Sequence, residues 1–280
     1  MIAGALITIR EGLEAFLIVG ILIGYLTKIK QTQFKVHIWT GMAAALVVSV
    51  MLAFLFQYMA FQFEGTSAEI FEAVVALMAV GVLTWMVLWM QRQSCGIQGE
   101  LEQKANEAIS GGQAFALGSL AFISVLREGV ETALFLSALL VTSRDMRLFP
   151  GAILGLVIAA VITYLLFRSS IRLNLRKFFV VTGIFLILIA AGLVGHSVMA
   201  LQDIGWLPMG TTIIWNLQGF ISNESLAGRL LHAFLGYEAA PTFLMVFAYT
   251  LYVVLFGGQF YNAIRQGISQ PVMRYVKQGP

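Results

Sequence analysis

Two short clusters of ionisable residues interrupt long apolar runs. Arg10-Glu11-Gly12-Leu13-Glu14 lies in a run from about Ala3 to Leu26, and Arg127-Glu128-Gly129-Val130-Glu131 repeats the pattern in a second run. Near the centre of a membrane helix each such charge costs about 2.5–3.5 kcal/mol, so each cluster carries roughly 8–10 kcal/mol before any pairing. On a helix turning about 100° per residue, Glu11 and Glu14 lie about 60° apart and one turn apart, so both carboxylates can face one point. Arg10 is placed to pair with Glu14, which leaves the other glutamate of each copy without a local basic partner. Gly12 lets a neighbouring helix approach closely. Carboxylate oxygens suit hard cations. Four glutamates and two arginines carry a formal charge of −2, which a tricationic ion more than offsets. The competing use is an intramembrane salt bridge that holds helices together, but one Arg and one Glu would suffice for that.

Elements that carry such clusters must be membrane helices. Of 280 residues, 59% are hydrophobic and only 11% charged, with mean hydropathy +0.88. This is the composition of an integral membrane protein. The net charge of +3 is accounted for by basic residues at cytoplasmic helix ends and calls for no nucleic acid. A single cysteine, Cys95, excludes an internal disulfide and a thiolate metal cluster. No GxxxxGK[ST] stretch is present, so the chain has no P-loop ATP motor. The N-terminus lacks a basic leader region and reads as a retained first helix.

Apolar windows predict an all-α membrane protein of seven helices, near 3–26, 36–60, 69–91, 113–141, 150–168, 178–201 and 241–263. One set of loops and the C-terminal tail hold twelve Lys/Arg: Lys28, Lys30, Lys35, Arg92, Lys104, Arg168, Arg172, Arg176, Lys177, Arg265, Arg274 and Lys277. The other side holds only Arg144, Arg147 and Arg229. Basic loops stay cytoplasmic, so the N-terminus is expected outside and the C-terminus inside. The second cluster lies three helices on from the first. An odd number reverses direction, so the chain reads as one permease domain, 1–280, built on an inverted repeat: about 1–91 and about 113–201, then an outer segment 202–240 and a last helix 241–263. Gly41-Met-Ala-Ala-Ala-Leu-Val-Val echoes Gly151-Ala-Ile-Leu-Gly-Leu-Val-Ile. Such repeats place a substrate site at their interface. Residues 91–112 predict a short cytoplasmic helix, and 206–220 an interfacial or re-entrant piece.

Other polar residues are weighed against blander roles. Glu69 and Glu72 repeat the three-residue spacing at the outer end of the third helix; they either favour a helix N-terminus or form an outer site that hands an ion inward. Glu64, Asp203 and Glu224 read as solvated loop, His37 as interfacial and His196 as a core histidine. His232 and Glu238 flank Gly236-Tyr237 where an outer vestibule would lie. The tryptophans fit interfacial belts. The twelve methionines show no repeated spacing and read as core filler.

Two R-E-G-x-E motifs on the first and fourth of seven helices resemble the high-affinity iron permease family. That family includes fungal permeases that work with a multicopper oxidase and bacterial EfeU-type permeases. Glu69-Ile-Phe-Glu72, Leu83-Thr84-Trp85-Met86-Val87, Ile171-Arg-Leu-Asn-Leu175, Ala190-Ala-Gly-Leu193 and Gly236-Tyr237 with Ala240-Pro241-Thr242 are similar to the bacterial branch, and this likeness implies that Trp85, with Thr84 and Met86, packs near the charged clusters. The resemblance implies a multi-pass permease of the bacterial inner membrane, with iron as its transported substrate and no resident cofactor. It implies import of ferric iron, or of iron oxidised during uptake, with Glu11, Glu14, Glu128 and Glu131 handling the metal and Arg10 and Arg127 on the motif arginines. It also implies a separate extracytoplasmic iron-binding protein, oxidase or peroxidase as partner. Two other functions compete. One is a carboxylate transporter for another cation, such as lead or manganese; the other is an intramembrane metal-dependent enzyme, for which no nucleophile–base pair is visible.

Overall fold

The computed structural model describes residues 2–63, 65–93, 97–110, 114–143, 146–168, 175–223 and 225–269. Glu64, Cys95, Arg144, most of the 171–175 stretch, Glu224 and the basic tail with Arg274 and Lys277 lie outside these. The long helices follow the apolar runs: α1 (Ile2–Lys28), α2 (Lys35–Gln62), α3 (Thr66–Gln93), α5 (Ala114–Ser143), α6 (Leu148–Arg168) and α7 (Leu175–Asp203), with α4 (Ile97–Ser110) between α3 and α5. After a short α8 (Leu226–Leu235), the chain ends in α9 (Phe243–Tyr252), a π-helical turn Val253–Gly257 and α10 (Gly258–Ser269). Among the described residues there is no β-strand, only one isolated bridge between Ile213 and Thr242.

Five stretches are long and apolar enough to cross a membrane: Thr32–Ala60, Thr66–Trp89, Leu148–Phe167, Phe178–Asp203 and Phe243–Arg265. Helices α1 and α5, at 27 and 30 residues, have the length, but each carries its charged triad inside the run. The outer faces are greasy. On α2, Val47, Val50, Met51, Phe54, Leu55 and Tyr58 are exposed, and on α6, Ile153, Val157, Val161 and Tyr164. A water-soluble protein does not leave such stripes bare, whereas lipid covers them without cost.

Close approaches fix the helix directions. Along α1 and α6, Gly4 meets the Leu148 carbonyl, Thr8 Oγ1 donates to Ala152 O at 2.8 Å, Gly12 meets Ala159 and Gly20 meets Phe167. The partners climb together, so α1 and α6 run in the same direction. Gly118 beside His37 and Gly129 beside Ser49 show the same for α2 and α5. Helices α1 and α5 instead run antiparallel: Ala3 shares a cavity wall with Leu139, and Leu22 and Leu26 share an apolar cluster with Leu117 and Ala121. The two motif glycines make matching contacts. A Cβ on Gly12 would lie 3.0 Å from Ala159 Cβ, and one on Gly129 would lie 1.9 Å from Ser49 Oγ but 3.9 Å from Ser49 Cα. Gly129→Ala should therefore cut membrane-inserted protein several-fold. Adding Ser49→Gly should restore most of it, because it removes the atoms that clash; immunoblotting of membranes checks this, and a double variant no better than the single would refute the contact.

The core falls into two apolar clusters. One gathers Ala3 and Ile7 of α1 with Leu134, Phe135 and Leu139 of α5, Met86 of α3 and Ile189 and Leu193 of α7. The other gathers Val19, Leu22 and Leu26 of α1, Ile38 and Ala45 of α2, and Leu117, Ala121 and Val125 of α5. Leu101 and Ala105, one turn apart on α4, are buried in the second cluster, so the expected short helix exists and is amphipathic. On both α1 and α5 the charged motif lies between the residues of the two clusters.

In the outer segment, residues 206–220, expected as an interfacial or re-entrant piece, are not helical. They are turns and extended backbone pinned to the start of the last helix, with Ile214 N donating to Pro241 O, Leu217 N to Ala239 O and Phe243 N to Thr212 O. Gly205 and Gly210 have positive φ, at 76° and 68°, and Pro208 follows closely; these break the apolar pattern before a helix can propagate. The helix forms further on, as α8. Ser225 caps its N-terminus by accepting from Gly228 N, and Gly236 ends it in the left-handed region at φ 63°. The last helix, expected at 241–263, starts at Phe243 and is loosened by the π turn that ends at Gly257.

Candidate metal centre

The two motifs meet where α1 and α5 cross. Glu11, Glu128 and Glu131 each offer a carboxylate oxygen, and these atoms lie within 4.8 Å of one another. All three are buried, at 1%, 5% and 5% exposure. One oxygen of each, Glu11 Oε2, Glu128 Oε2 and Glu131 Oε2, has no hydrogen-bond partner. Buried carboxylate oxygens normally find donors. Three buried carboxylates that converge this closely, each with one oxygen left without a donor, are what a cation site looks like to its ligands.

The arginines compensate the glutamates differently from the expected pattern. Arg10 Nη1 donates to Glu11 Oε1 at 2.9 Å, while its Nη2 lies 3.4 Å from Glu14 Oε1. Arg10 was expected on Glu14 alone; its long side chain folds back over its own turn and bridges both. Arg127 Nε sits 3.0 Å from Glu131 Oε1 and 3.8 Å from Glu128 Oε1. Each arginine thus serves both glutamates of its copy, and the expectation of one unpartnered glutamate per copy is overturned. The copies also differ in depth: the Arg10 side chain is 1% exposed and that of Arg127 33%.

Helix α3 supplies the surround. Met86 Sδ accepts from Arg10 Nη1 at 3.4 Å. The Arg127 guanidinium lies over Trp89 at 4.6 Å and Trp85 at 5.3 Å from the ring centroids, and the two rings stack on each other. These rings stand in a cation–π contact rather than a purely interfacial belt. Thr84 hydrogen-bonds Tyr252 of α9. The sequence reading of Thr84, Trp85 and Met86 as neighbours of the clusters thus corresponds to contacts for Trp85 and Met86.

Not every candidate joins the centre. Glu14 is outside the trio and reaches it through Arg10. Glu69 and Glu72 sit half-buried in the first turns of α3. Fourteen residues separate Glu72 from Met86, roughly 21 Å of helix, so they cannot share an ion with Glu11. Asp203 is exposed at the end of α7. His37 is half-buried, with its ring centroid 6.1 Å from that of Phe34. His196 is not an isolated core histidine: its ring lies 4.4 Å from that of His232, and both are grouped with Glu238. Sequence reasoning missed this association because 36 positions separate the histidines and no helical period links them.

Fold and site together define a multi-pass helical membrane protein with a buried carboxylate centre at a helix crossing. The chain matches the iron permease FTR1 family over residues 1–266 and belongs to that family. It is 35% identical over 253 residues to the ferrous iron permease EfeU of Escherichia coli O6:H1, covering 89% of this chain and 91% of that protein. It is 34% identical over 251 residues to the protein of the same name from Yersinia pestis, covering 89% of both. No solved structure matches the chain.

Proposed function

We propose that this protein imports iron by holding one ion between α1 and α5, with Glu11, Glu128 and Glu131 as ligands and Glu14 joining as the ion moves. The observation that carries this is the trio of buried carboxylates from two helices, each with a free oxygen, inside 4.8 Å. An all-oxygen donor set favours a hard cation, so the ion held there is read as ferric, or as iron oxidised during uptake. The relatives are named ferrous permeases; oxidation state is therefore the variable to test. Glu69 and Glu72 are read as an outer station, and the protein as a transporter rather than an enzyme. An extracytoplasmic binding protein, oxidase or peroxidase would supply the iron.

The inverted repeat is supported by the antiparallel crossing of α1 and α5 and by the matched pairs Gly12–Ala159 and Gly129–Ser49, which fall at equivalent places in the two halves. Apolar clusters flank the motif on both sides, so transport requires each to part in turn, the alternating access typical of inverted repeats. Seven crossings with the N-terminus outside follow from the Lys/Arg asymmetry. A reporter after Lys277 should read cytoplasmic and one at Glu224 external; a cytoplasmic reading at Glu224 overturns the orientation.

Uptake into liposomes, comparing ferric with ferrous iron and either with Mn2+ and Pb2+, tests the function. A trivalent cation moving inward gains roughly 7 kcal/mol per 100 mV if no counter-charge moves, so an inside-negative potential should accelerate uptake. Uptake of Mn2+ or Pb2+ at the iron rate would favour the general metal carrier instead.

A further inference from the structure

Away from the carboxylate centre, His196 of α7, His232 of α8 and Glu238 each offer a ligand atom, and these lie within 4.8 Å of one another. We propose that they form a second metal site, one that takes a borderline divalent cation of the ferrous class. Two imidazoles and one carboxylate with open positions are the donor set that selects Fe(II) over harder ions, unlike the all-carboxylate centre below.

Local structure prepares the ligands. His232 Nδ1 lies 3.0 Å from the Tyr237 carbonyl. A carbonyl only accepts, so Nδ1 carries the proton and Nε2 keeps its lone pair for a metal; this outer hydrogen bond is the usual way a metal-binding histidine is oriented. His196 Nε2 is buried with no hydrogen-bond partner. Asn223 holds Glu238 from behind: its Nδ2 donates to Glu238 Oε1 and its Oδ1 accepts from Ala239 N. Glycines set the approach of the two histidines. A Cβ on Gly192 would lie 2.6 Å from Gly236 Cα, so backbone touches backbone there. His196 lies one turn after Gly192 and His232 one turn before Gly236. Both histidines and Glu238 are half-buried.

Position gives the site a use. Its histidines line a cavity with Ala3 of α1 and Leu139 of α5. Ala3 precedes Glu11 by eight residues and Leu139 follows Glu131 by eight, so on both helices the cavity lies about 12 Å from the carboxylates, toward the same end. With the N-terminus outside, this is the external side. The role of the site as an outer station for a divalent cation rests on that reading; its capacity to bind metal does not.

The test titrates the full purified chain in lipid nanodiscs with Co2+ alone, by calorimetry. His232→Ala and Glu238→Gln should each weaken one Co2+ site by more than about tenfold, while Glu128→Gln leaves that site within about twofold. Unchanged Co2+ affinity in both His232→Ala and Glu238→Gln would overturn the proposal. In the unaltered protein, Co2+ should shield His232 from diethylpyrocarbonate while His37 reacts as before, read by mass spectrometry; equal labelling of His232 with and without Co2+ would also overturn it. If Glu128→Gln leaves iron uptake intact while the Co2+ loss in His232→Ala stands, the carboxylate reading falls and the histidine site survives.

Discussion

Glu128→Gln is expected to abolish iron uptake while leaving membrane-inserted protein at or above its normal level. Glutamine keeps the shape of the side chain but removes the charge, and it replaces a strong anionic ligand with a weak neutral one. Glu128 faces Glu11 and Glu131 within 4.8 Å across the α1–α5 crossing, so an ion held there loses one of three protein ligands. Abundance should not suffer, because a buried charge is removed; each charge at mid-membrane costs about 2.5–3.5 kcal/mol. Gain in stability with loss of transport separates a functional carboxylate from a structural one. Glu11→Gln and Glu131→Gln should lose uptake too, Glu11→Gln with some loss of abundance because the buried Arg10 gives up its 2.9 Å partner, and Glu11→Gln/Glu128→Gln should transport no worse than either single variant, because residues acting as one unit are not additive. Glu14→Gln should retain more uptake than these, since Glu14 lies outside the trio. The measurement is iron uptake normalised to inserted protein. Near-normal uptake in Glu11→Gln and Glu128→Gln would return the motifs to the role of helix glue.

What the sequence could reveal was set by what is local. The three-residue spacing of Glu11 and Glu14 puts two carboxylates on one helix face whatever the tertiary fold, and the odd offset of three helices from one motif to the next implies that the two crossings oppose. Both statements need only helical geometry. The identity of the trio was not legible, because it depends on which rotamers Arg10 and Arg127 adopt and on how α3 packs. Arg10 Nη1 bonds the adjacent Glu11 as well as Met86 Sδ, a pairing that spacing alone disfavours. The pairing of His196 with His232 was invisible for a related reason. It arises from backbone contact at Gly192 and Gly236, and the helix that carries His232 lies beyond a 206–220 stretch whose apolar composition pointed to a membrane-embedded piece. Two positive-φ glycines redirected that stretch, and turn conformation is a weak imprint on an apolar sequence.

The two motif arginines, each opening the same R-E-G-x-E pattern, should respond unequally to removal. Arg10→Ala strips the cation that bridges Glu11 and Glu14 and leaves a void where a fully buried side chain stood. Breaking one partner out of a buried ion pair costs about 3–5 kcal/mol, enough to deplete the inserted protein. Arg127 is one-third exposed and rests on Trp89 and Trp85. Its removal forfeits a cation–π contact of about 0.5–2 kcal/mol and an ion pair that solvent partly screens, so Arg127→Ala should lower abundance less. Membrane abundance and the midpoint of thermal unfolding in detergent read the difference. A second variant separates charge from packing: Arg10→Met/Glu11→Gln removes one charge of each sign and keeps most of the volume. It should recover part of the abundance lost in Arg10→Ala while transport stays absent, because Glu11 no longer ligates. Equal losses in Arg10→Ala and Arg127→Ala would mean that the depth difference between the two copies carries no energetic weight.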